Sequence, residues 1–373
     1  MNIFIADKDN RDLVSLVYHY TKLGHKVFVP KPGTEGFGMH PKWPRLILRA
    51  SSDPTKRNLD IYGFEDYDSV EFGEDRFLSQ EIDEIRDKLY EQDACLELID
   101  INKDSVHIDA WHSTPNSITD LPQWIEFAKK HFPHAKWISS CMTHWDHSLS
   151  YNPKNLVKFL PANYKNLRMD INQVEMYRHR IEFDVMNIDY NTPKPREGWA
   201  SFNHNFAVRH PQFFALQTKL NEDLKGRIVV QNYGGNIRQV GADIKYSGES
   251  GITGKDPTIS PRQAMKKYTT LRGVLHLKGA DWAGGVPSMS RMGKVPIIVT
   301  GRYVEDTCAQ NVFIHKKNCM VANNYEDLLN YVQKINDDDV LWQELSEGQD
   351  RTNDELFNED YWKRWDEFIS RIA

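Results

Sequence analysis

The sequence predicts an α/β protein of two Rossmann-like domains, with a final helix that crosses back to the first. Three observations predict this. The chain has 373 residues, more than one hydrophobic core usually serves. Short apolar runs alternate with apolar residues at helical spacing in both halves, the pattern of parallel strands joined by crossover helices. The run from Gly273 to Thr300, GVLHLKGADWAGGVPSMSRMGKVPIIVT, passes from a strand through a Gly-Gly loop into a short helix and a second strand. The expected boundaries are 1–190 for the first domain, 198–355 for the second and 356–373 for the final helix.

The elements follow in order. Ile3, Phe4 and Ile5 form a short buried strand. Leu13, Val14, Leu16, Val17, Tyr20 and Leu23 recur at helical spacing, Gly24 stops that helix, and 25–30 is the next strand. Residues 31–78 are irregular. Helices near 79–91 and 120–131 alternate with strands near 94–101, 105–110 and 136–142. The stretch 150–198 is mixed and ends in Asn191-Thr-Pro-Lys-Pro-Arg196, read as a linker. Strand 200–203, helix 211–225 and strand 227–231 open the second half. A Gly-rich stretch, 234–254, comes next. Ser260-Pro261 starts a helix, with Ser as N-cap and Pro at the first helical position. Strands 273–278 and 295–300 flank the short helix, and helices near 325–336 and 339–348 follow. In the last helix, Tyr361, Trp362, Trp365, Phe368, Ile369 and Ile372 form one apolar stripe that needs a partner surface.

Composition narrows the class. The chain is 40% hydrophobic, with a mean hydropathy of −0.63, as in soluble globular proteins. A net charge of −6 gives no general affinity for nucleic acid or acidic membranes. Cys95, Cys141, Cys308 and Cys319 are scattered without framework spacing, and read as reduced thiols of a cytoplasmic protein. The N-terminus is strand-like rather than a signal peptide. No run approaches the ~18 apolar residues of a membrane helix.

A strand, a glycine turn and a helix N-terminus together direct backbone N–H groups and a positive dipole end at one place, a ready anion site. The spacing from Gly284 through Gly293 to Pro296 resembles the donor-phosphate segment of GT-B glycosyltransferases. The opening strand, helix and Leu23-Gly-His-Lys-Val-Phe-Val29 resemble the start of many of those enzymes. The likeness is strongest over 1–30 and 257–372 and thin over 31–198. Two departures stand out. Asp7-Lys-Asp-Asn-Arg11 replaces the usual Gly-rich first turn, and Ser288 stands where many retaining members carry a glutamate.

The resemblance implies a hexosyl- or pentosyltransferase that uses a nucleotide sugar, a UDP-sugar foremost, as co-substrate and needs no metal or other cofactor. The first domain would hold the acceptor, and the second the donor. A diphosphate must then be neutralised by Arg, Lys and oriented N–H groups. Arg209, in Asn203-His-Asn-Phe-Ala-Val-Arg-His-Pro211, matches the arginine that follows the first strand of the donor domain. Lys278 or Lys219 would be the second cation. Gly284, Gly285 and Ser288 would complete the phosphate site. Asp281 would contact the donor sugar, and Asn236, in a Gly-rich turn, the sugar or base. Trp43, Arg45 and Arg49 lie in a basic, aromatic-punctuated stretch suited to the acceptor. Trp111, Trp145 and Trp282 are candidate platforms for a sugar face.

His107-Ile-Asp109-Ala-Trp-His112 and Thr143-His-Trp-Asp-His147 follow predicted strands. An acceptor hydroxyl needs a proton acceptor in an inverting reaction, and Asp109, His112, His144 and Asp146 are the candidates. The expected acceptor is a glycan or small molecule. The alternative acceptor is a base of DNA, by analogy with the GT-B glycosyltransferases of tailed phages. The basic stretches 42–57 and 154–180 would meet its phosphates. Two further readings remain at this stage. One is a metal-dependent hydrolase, since His144-Trp-Asp146-His147 is a partial ligand set resembling that of metallo-β-lactamase-like enzymes, with Met142 where their first His stands. The other is a nucleotide-sugar binding protein without turnover.

Overall fold

The computed structural model describes residues 1–6, 13–30, 87–91, 94–101, 103–113, 121–143, 151–163, 171–191, 196–202, 211–233, 261–277 and 285–373. The first domain contains β1 (Asn2–Ala6), α1 (Leu13–Lys22), β2 (Lys26–Pro30), β3 (Leu96–Ile99), β4 (Ala110–Ser113), α2 (Leu121–His131), β5 (Lys136–Thr143), β6 (Asn155–Asn163) and β7 (Asn172–Tyr177). These strands form one parallel sheet in the order β3-β2-β1-β4-β5-β6-β7. The register pairs Phe4 with Phe28 and with Trp111, and Trp111 with Trp137. Order reverses between β1 and β4, so the ligand crevice of such a sheet opens beyond their carboxyl ends.

A connector carrying the short helix α3 (Ile181–Val185) leads to the second domain. There follow β8 (Trp199–Phe202), α4 (Pro211–Asp223), β9 (Val230–Tyr233), α5 (Pro261–Tyr268), β10 (Gly273–His276), α6 (Gly285–Met292), β11 (Ile297–Thr300), α7 (Gly301–Asp306), β12 (Met320–Ala322), α8 (Tyr325–Asp337), α9 (Asp339–Leu356) and α10 (Glu359–Ser370). The second sheet is also parallel, in the order β9-β8-β10-β11-β12. Its switch point lies between β8 and β10, whose register pairs Val274 with Ala200. The fold class predicted from the sequence is the one observed.

Local chemistry explains the elements. Gly24 sits at φ +78°, a left-handed conformation that ends α1 and that a side chain would strain. The central strands of the second domain, β10 and β11, are buried from Gly273 to His276 and from Ile297 to Val299, so their cores Val274-Leu275 and Ile297-Ile298-Val299 read as apolar runs. Val274 packs on the face that also holds Met265 and Met289, whereas Leu275 packs on the face covered by Leu328 and Val332. Thr300 accepts a hydrogen bond from the Tyr303 N–H and caps α7; Asn324 and Asn358 cap α8 and α10 in the same way.

The structure corrects several sequence expectations. The strand expected at 105–110 lies at 110–113 instead. Residues 107–109 are tied to β1 by side-chain bonds before the ladder begins, with Asn2 Nδ2 donating to the His107 carbonyl. The mixed stretch 150–198 contains β6 and β7, which extend the sheet to seven strands. In β6 the residues Leu156, Val157, Phe159 and Leu160 are all buried, a run that reads as a two-faced parallel strand only once its neighbours are known. Helix α9 continues to Leu356 rather than ending near 348. Its later inward residues are polar, so the apolar period stops while the helix goes on. Gln349 donates to the Asn318 carbonyl, Thr352 accepts from Asn318 Nδ2, and Asn353 accepts from Arg291. Of the expected helix 79–91, residues 87–91 are described and are helical.

Helix α10 lies on the first sheet. Tyr361, Trp365, Phe368, Ile369 and Ile372 are all buried, each contributing about 1.5–3 kcal/mol on a transfer scale. Trp365 Nε1 donates to the Glu175 carbonyl of β7, and Asn172 Nδ2 donates to the Phe368 carbonyl. Elsewhere β6 packs against the 3-10 turn Cys308–Asn311 that follows α7. One apolar core therefore runs from Ile3 and Val17 through Phe183 to Met289 and Tyr303.

Candidate active site

The two switch points define where a ligand would bind. In the second sheet, β8 is followed by 203–210 and β10 by 278–284. Adjacent strand ends thus launch two segments far apart in sequence. The first carries Arg209, and the second carries Lys278, Asp281 and Gly284. All four lie outside the described residues, as do Asn236, Trp43, Arg45, Arg49, His144, Asp146, His147, Trp145 and Trp282.

The described residues frame this edge. β10 ends at His276, which is buried, with its ring edge-on to Tyr303 at 4.4 Å. Gly285 opens α6. Ser288, three residues further on, is only 2% exposed. α6 is buried on every side, from Val286 to Met292. Lys219 is engaged elsewhere, its ammonium 3.8 Å from the centre of the Tyr325 ring between α4 and α8.

In the first domain, two candidate proton acceptors are displaced from the crevice. Asp109 precedes β4 at the amino end of the sheet, opposite the switch-point edge. Its Oδ2 accepts from the Asn2 N–H at 2.7 Å, and its Oδ1 lies 3.1 Å from His107 Nε2. It fixes the start of β1. His112 lies within β4 and is 0% exposed. Its Nδ1 is 2.7 Å from the Tyr20 hydroxyl, and its Nε2 contacts the Ser140 hydroxyl. Burial pushes its pKa down to about 3, so the ring is neutral and sequestered. Because the strand begins at Ala110 rather than at 105, Asp109 lies before it at the amino end of the sheet and His112 within its buried length. Trp111 stacks on Trp137 at 5.7 Å and is buried, so it presents no face to a sugar.

The basic stretch 154–180 is partly internal. Arg178 chelates the buried Glu182, which also accepts from the Ser15 hydroxyl. Arg180 Nη1 lies 2.5 Å from Asp350. Neither guanidinium is on a free surface for a polyanion.

Sequence reasoning missed what these arginines do. Arg180 donates from Nε to the Met292 carbonyl and from Nη2 to the Arg291 carbonyl. Arg196 Nη1 donates to the Gly293 carbonyl at 2.7 Å. The guanidinium groups of the connector thus satisfy the orphan carbonyls at the carboxyl end of α6, where a helix favours positive charge. Arg291, on α6 itself, donates back to the Arg178 carbonyl and to Asn353. The only sequence signal was Arg178 four residues before Glu182, the spacing of a helical ion pair.

Among the described residues, no group of three His, Cys, Asp or Glu side chains gathers as a metal site, and no helix is long and apolar enough to cross a membrane.

No protein-family model matches the chain. No curated protein matches it either. Among solved structures, the chain is similar to a glycosyltransferase from Rickettsia africae, at 12% identity over 99% of this chain and 98% of that one, with a TM-score of 0.47. It is similar to sucrose-phosphate synthase from Thermosynechococcus elongatus, at 9% identity over 100% and 97%, with a TM-score of 0.47. It is also similar to S. aureus TarM in complex with fondaparinux, alpha-GlcNAc-glycerol and UDP, at 10% identity and a TM-score of 0.46. That match covers 71% of this chain and spans 56% of TarM.

Proposed function

We propose that the chain is a glycosyltransferase of the GT-B kind. It moves a sugar from a nucleotide-sugar donor, a UDP-sugar foremost, to an acceptor hydroxyl. One observation carries the reading. The segments bearing Arg209 and Lys278, matched to donor-phosphate positions by their sequence context, leave the two strands that flank the switch point of the second sheet. Independent sequence matches thereby converge on the edge where such sheets bind nucleotides.

In this reading Arg209 and Lys278 neutralise the diphosphate, and N–H groups of the loop ending at Gly284 and Gly285 add to them. Asp281 faces the donor sugar, and Asn236 the sugar or base. Negative charge grows on the leaving phosphate as the glycosidic bond breaks, so these groups stabilise the transition state more than the ground state. The acceptor sits against the first domain, with Trp43, Arg45 and Arg49 among its contacts. With Asp109 and His112 held in the scaffold, His144 and Asp146, which follow β5, are the proton acceptors. Closure of the domains excludes water and limits donor hydrolysis.

The acceptor is a glycan or small molecule. This is favoured over DNA because Arg178 and Arg180, two of the six Lys and Arg residues that made 154–180 look like a phosphate-binding face, are spent inside the molecule.

A thermal-shift series tests the proposal. UDP, GDP, ADP, CMP and dTDP, with their common sugars, are added with and without EDTA. A rise in Tm with one nucleotide family, indifferent to EDTA, is expected. No rise with any nucleotide, together with a fall in Tm on adding EDTA, would replace the proposal with a metal hydrolase built on His144, Asp146 and His147.

A further inference from the structure

Helix α10 closes the outer edge of the first sheet and leaves a cavity beside it. β7 is the last strand in the sheet order. Trp365 Nε1 donates to the Glu175 carbonyl, the Tyr361 hydroxyl accepts from the Tyr177 N–H, and the Phe368 carbonyl accepts from Asn172 Nδ2. Edge groups spent in this way offer no template for a further strand. The cavity next to these contacts has a volume of about 260 Å³.

The sheet and the helix each bring charge to it. Lys158 of β6 and Glu175 of β7 are ladder partners, and alternate residues of a strand share a face, so Gln173 stands on that face too. Lys158 Nζ lies 3.4 Å from Glu175 Oε1, with the lysine side chain only 15% exposed. From the helix side come Arg364, Glu367 and Arg371, spaced i, i+3 and i+7 along one flank. Both arginines are exposed. Glu367 stands three residues from one and four from the other, the spacing of helical ion pairs. Among the described residues, neither guanidinium has a carboxylate within ion-pair distance.

Two acceptors are also unspent. Asn172 and Gln173 line the cavity, and their amide oxygens, Oδ1 and Oε1, are buried without a hydrogen-bond partner. The Asn172 amide cannot turn over to relieve this, because its nitrogen donates to Asn155 Oδ1 at 3.1 Å and to the Phe368 carbonyl. A buried acceptor without a donor is costly and is normally met by protein, water or ligand.

These groups specify an occupant. Three cations stand against two carboxylates, a local positive excess on a chain of net charge −6. Unpaired guanidinium forks match phosphate and carboxylate. The amide oxygens call for hydroxyl donors. The volume lies below the ~300–1,000 Å³ of sites for drug-sized ligands, which suits a small metabolite rather than a nucleotide sugar. The cavity lies against the amino half of β7, three strands from β4 and so about 15 Å from it. It is apart from the crevice beyond the carboxyl ends of β1 and β4.

We propose that this cavity binds a small hydroxylated anion, a polyol or sugar carrying one phosphate or carboxylate group. Arg364 and Arg371 take the anionic group, Lys158 adds to their field, and Asn172 and Gln173 accept from the hydroxyls. The site stands independently of the glycosyltransferase reading.

Calorimetric titration of the full chain tests it, with glucose 6-phosphate, gluconate, inorganic phosphate and glucose as probes at physiological salt. One-to-one binding of glucose 6-phosphate or gluconate is expected, about tenfold tighter than that of inorganic phosphate, with no binding of glucose. The first two probes separate a phosphate ligand from a carboxylate one. Arg364→Gln and Arg371→Gln should each weaken binding about 3- to 10-fold. Lys363→Gln, an exposed position of α10 outside the cavity, should bind as wild type. Gln173→Met should narrow the preference over inorganic phosphate. Binding of no probe, or binding that Arg364→Gln and Arg371→Gln together leave unchanged, would overturn the site. Inorganic phosphate binding as tightly as the hydroxylated probes, or a preference that Gln173→Met leaves intact, would overturn the class of ligand.

Discussion

The Tyr361 hydroxyl lies 2.7 Å from Nε2 of His19, joining the last helix to the first across 342 positions of sequence. His19 Nδ1 is 2.6 Å from the Ser15 carbonyl and must donate to it, so Nε2 is the acceptor and Tyr361 the donor. The same hydroxyl accepts from the Tyr177 N–H at 3.2 Å. One phenol oxygen thus ties together α10, α1 and β7. Tyr361→Phe leaves a buried ring nitrogen and a buried N–H without partners, at a cost of about 1–3 kcal/mol. Urea denaturation should show the midpoint falling accordingly. An unchanged midpoint would mean that the contact adds nothing to the docking of α10.

Three histidines make the fold acid-sensitive. Burial lowers the pKa of His19 to about 4 and of His112 to about 3. Burial, with the nearby His19 and the cations of Arg291 and Arg180, lowers His179 to about 2. In the unfolded chain each titrates near 6.5. Below that value the unfolded state binds more protons, so stability is fully present above about pH 6.5 and falls as pH drops, with His19 levelling off near 4. Each histidine contributes a slope of about 1.4 kcal/mol per pH unit within its window. His19→Gln should remove about that much slope between pH 6 and 4, read from urea midpoints across the series. A slope identical to wild type would show that His19 does not titrate in this way.

His112 belongs to the scaffold. His112→Gln should lower Tm, since it disturbs the buried Tyr20 and Ser140 hydroxyls, while the rate of donor hydrolysis per folded molecule stays within about twofold of wild type. A loss of several hundredfold with Tm preserved would return His112 to the catalytic list.

Gly348, in the middle of α9, faces the backbone of the 312–319 segment. A Cβ there would overlap the Lys317 carbonyl oxygen. Backbone cannot step aside cheaply, so Gly348→Ala should destabilise by about 1–3 kcal/mol despite alanine's better helix propensity. Equal or greater stability in thermal unfolding would contradict the close approach.

Particular residues show how far the sequence was legible. Val274 to Leu277, Ile297 to Val299 and the stripe from Tyr361 to Ile372 carried their own structure, because apolar period and burial coincide there. β6 was illegible, since a strand buried on both faces lacks alternation, and β7 opens on the polar, half-buried Asn172 and Gln173. The carboxyl half of α9 was hidden because Gln349, Thr352 and Asn353 face inward as hydrogen-bonding groups. The error at 105–110 was one of register. Val106 and Ile108 alternate as strand residues do, yet His107 and Asp109 spend their bonds on Asn2, and this moved two candidate catalytic residues out of the site. The roles of Arg180, Arg196 and Arg291 were hidden because nothing local reveals that these side chains donate to carbonyls up to 113 residues away. The residues matched to the donor site lie in 203–210 and 278–284, where the sequence match itself remains the argument.

The central claim is a nucleotide-diphosphate site at the β8/β10 switch point. Calorimetric titration of the full chain with UDP, GDP and ADP in EDTA tests it directly, in wild type, Arg209→Ala and Lys278→Ala. The account predicts saturable one-to-one binding of one of them, undiminished by EDTA, and weakened by each substitution by about 1.5–3 kcal/mol, the worth of a charge-assisted hydrogen bond. Binding that both substitutions leave unchanged, or no binding at all, would contradict it.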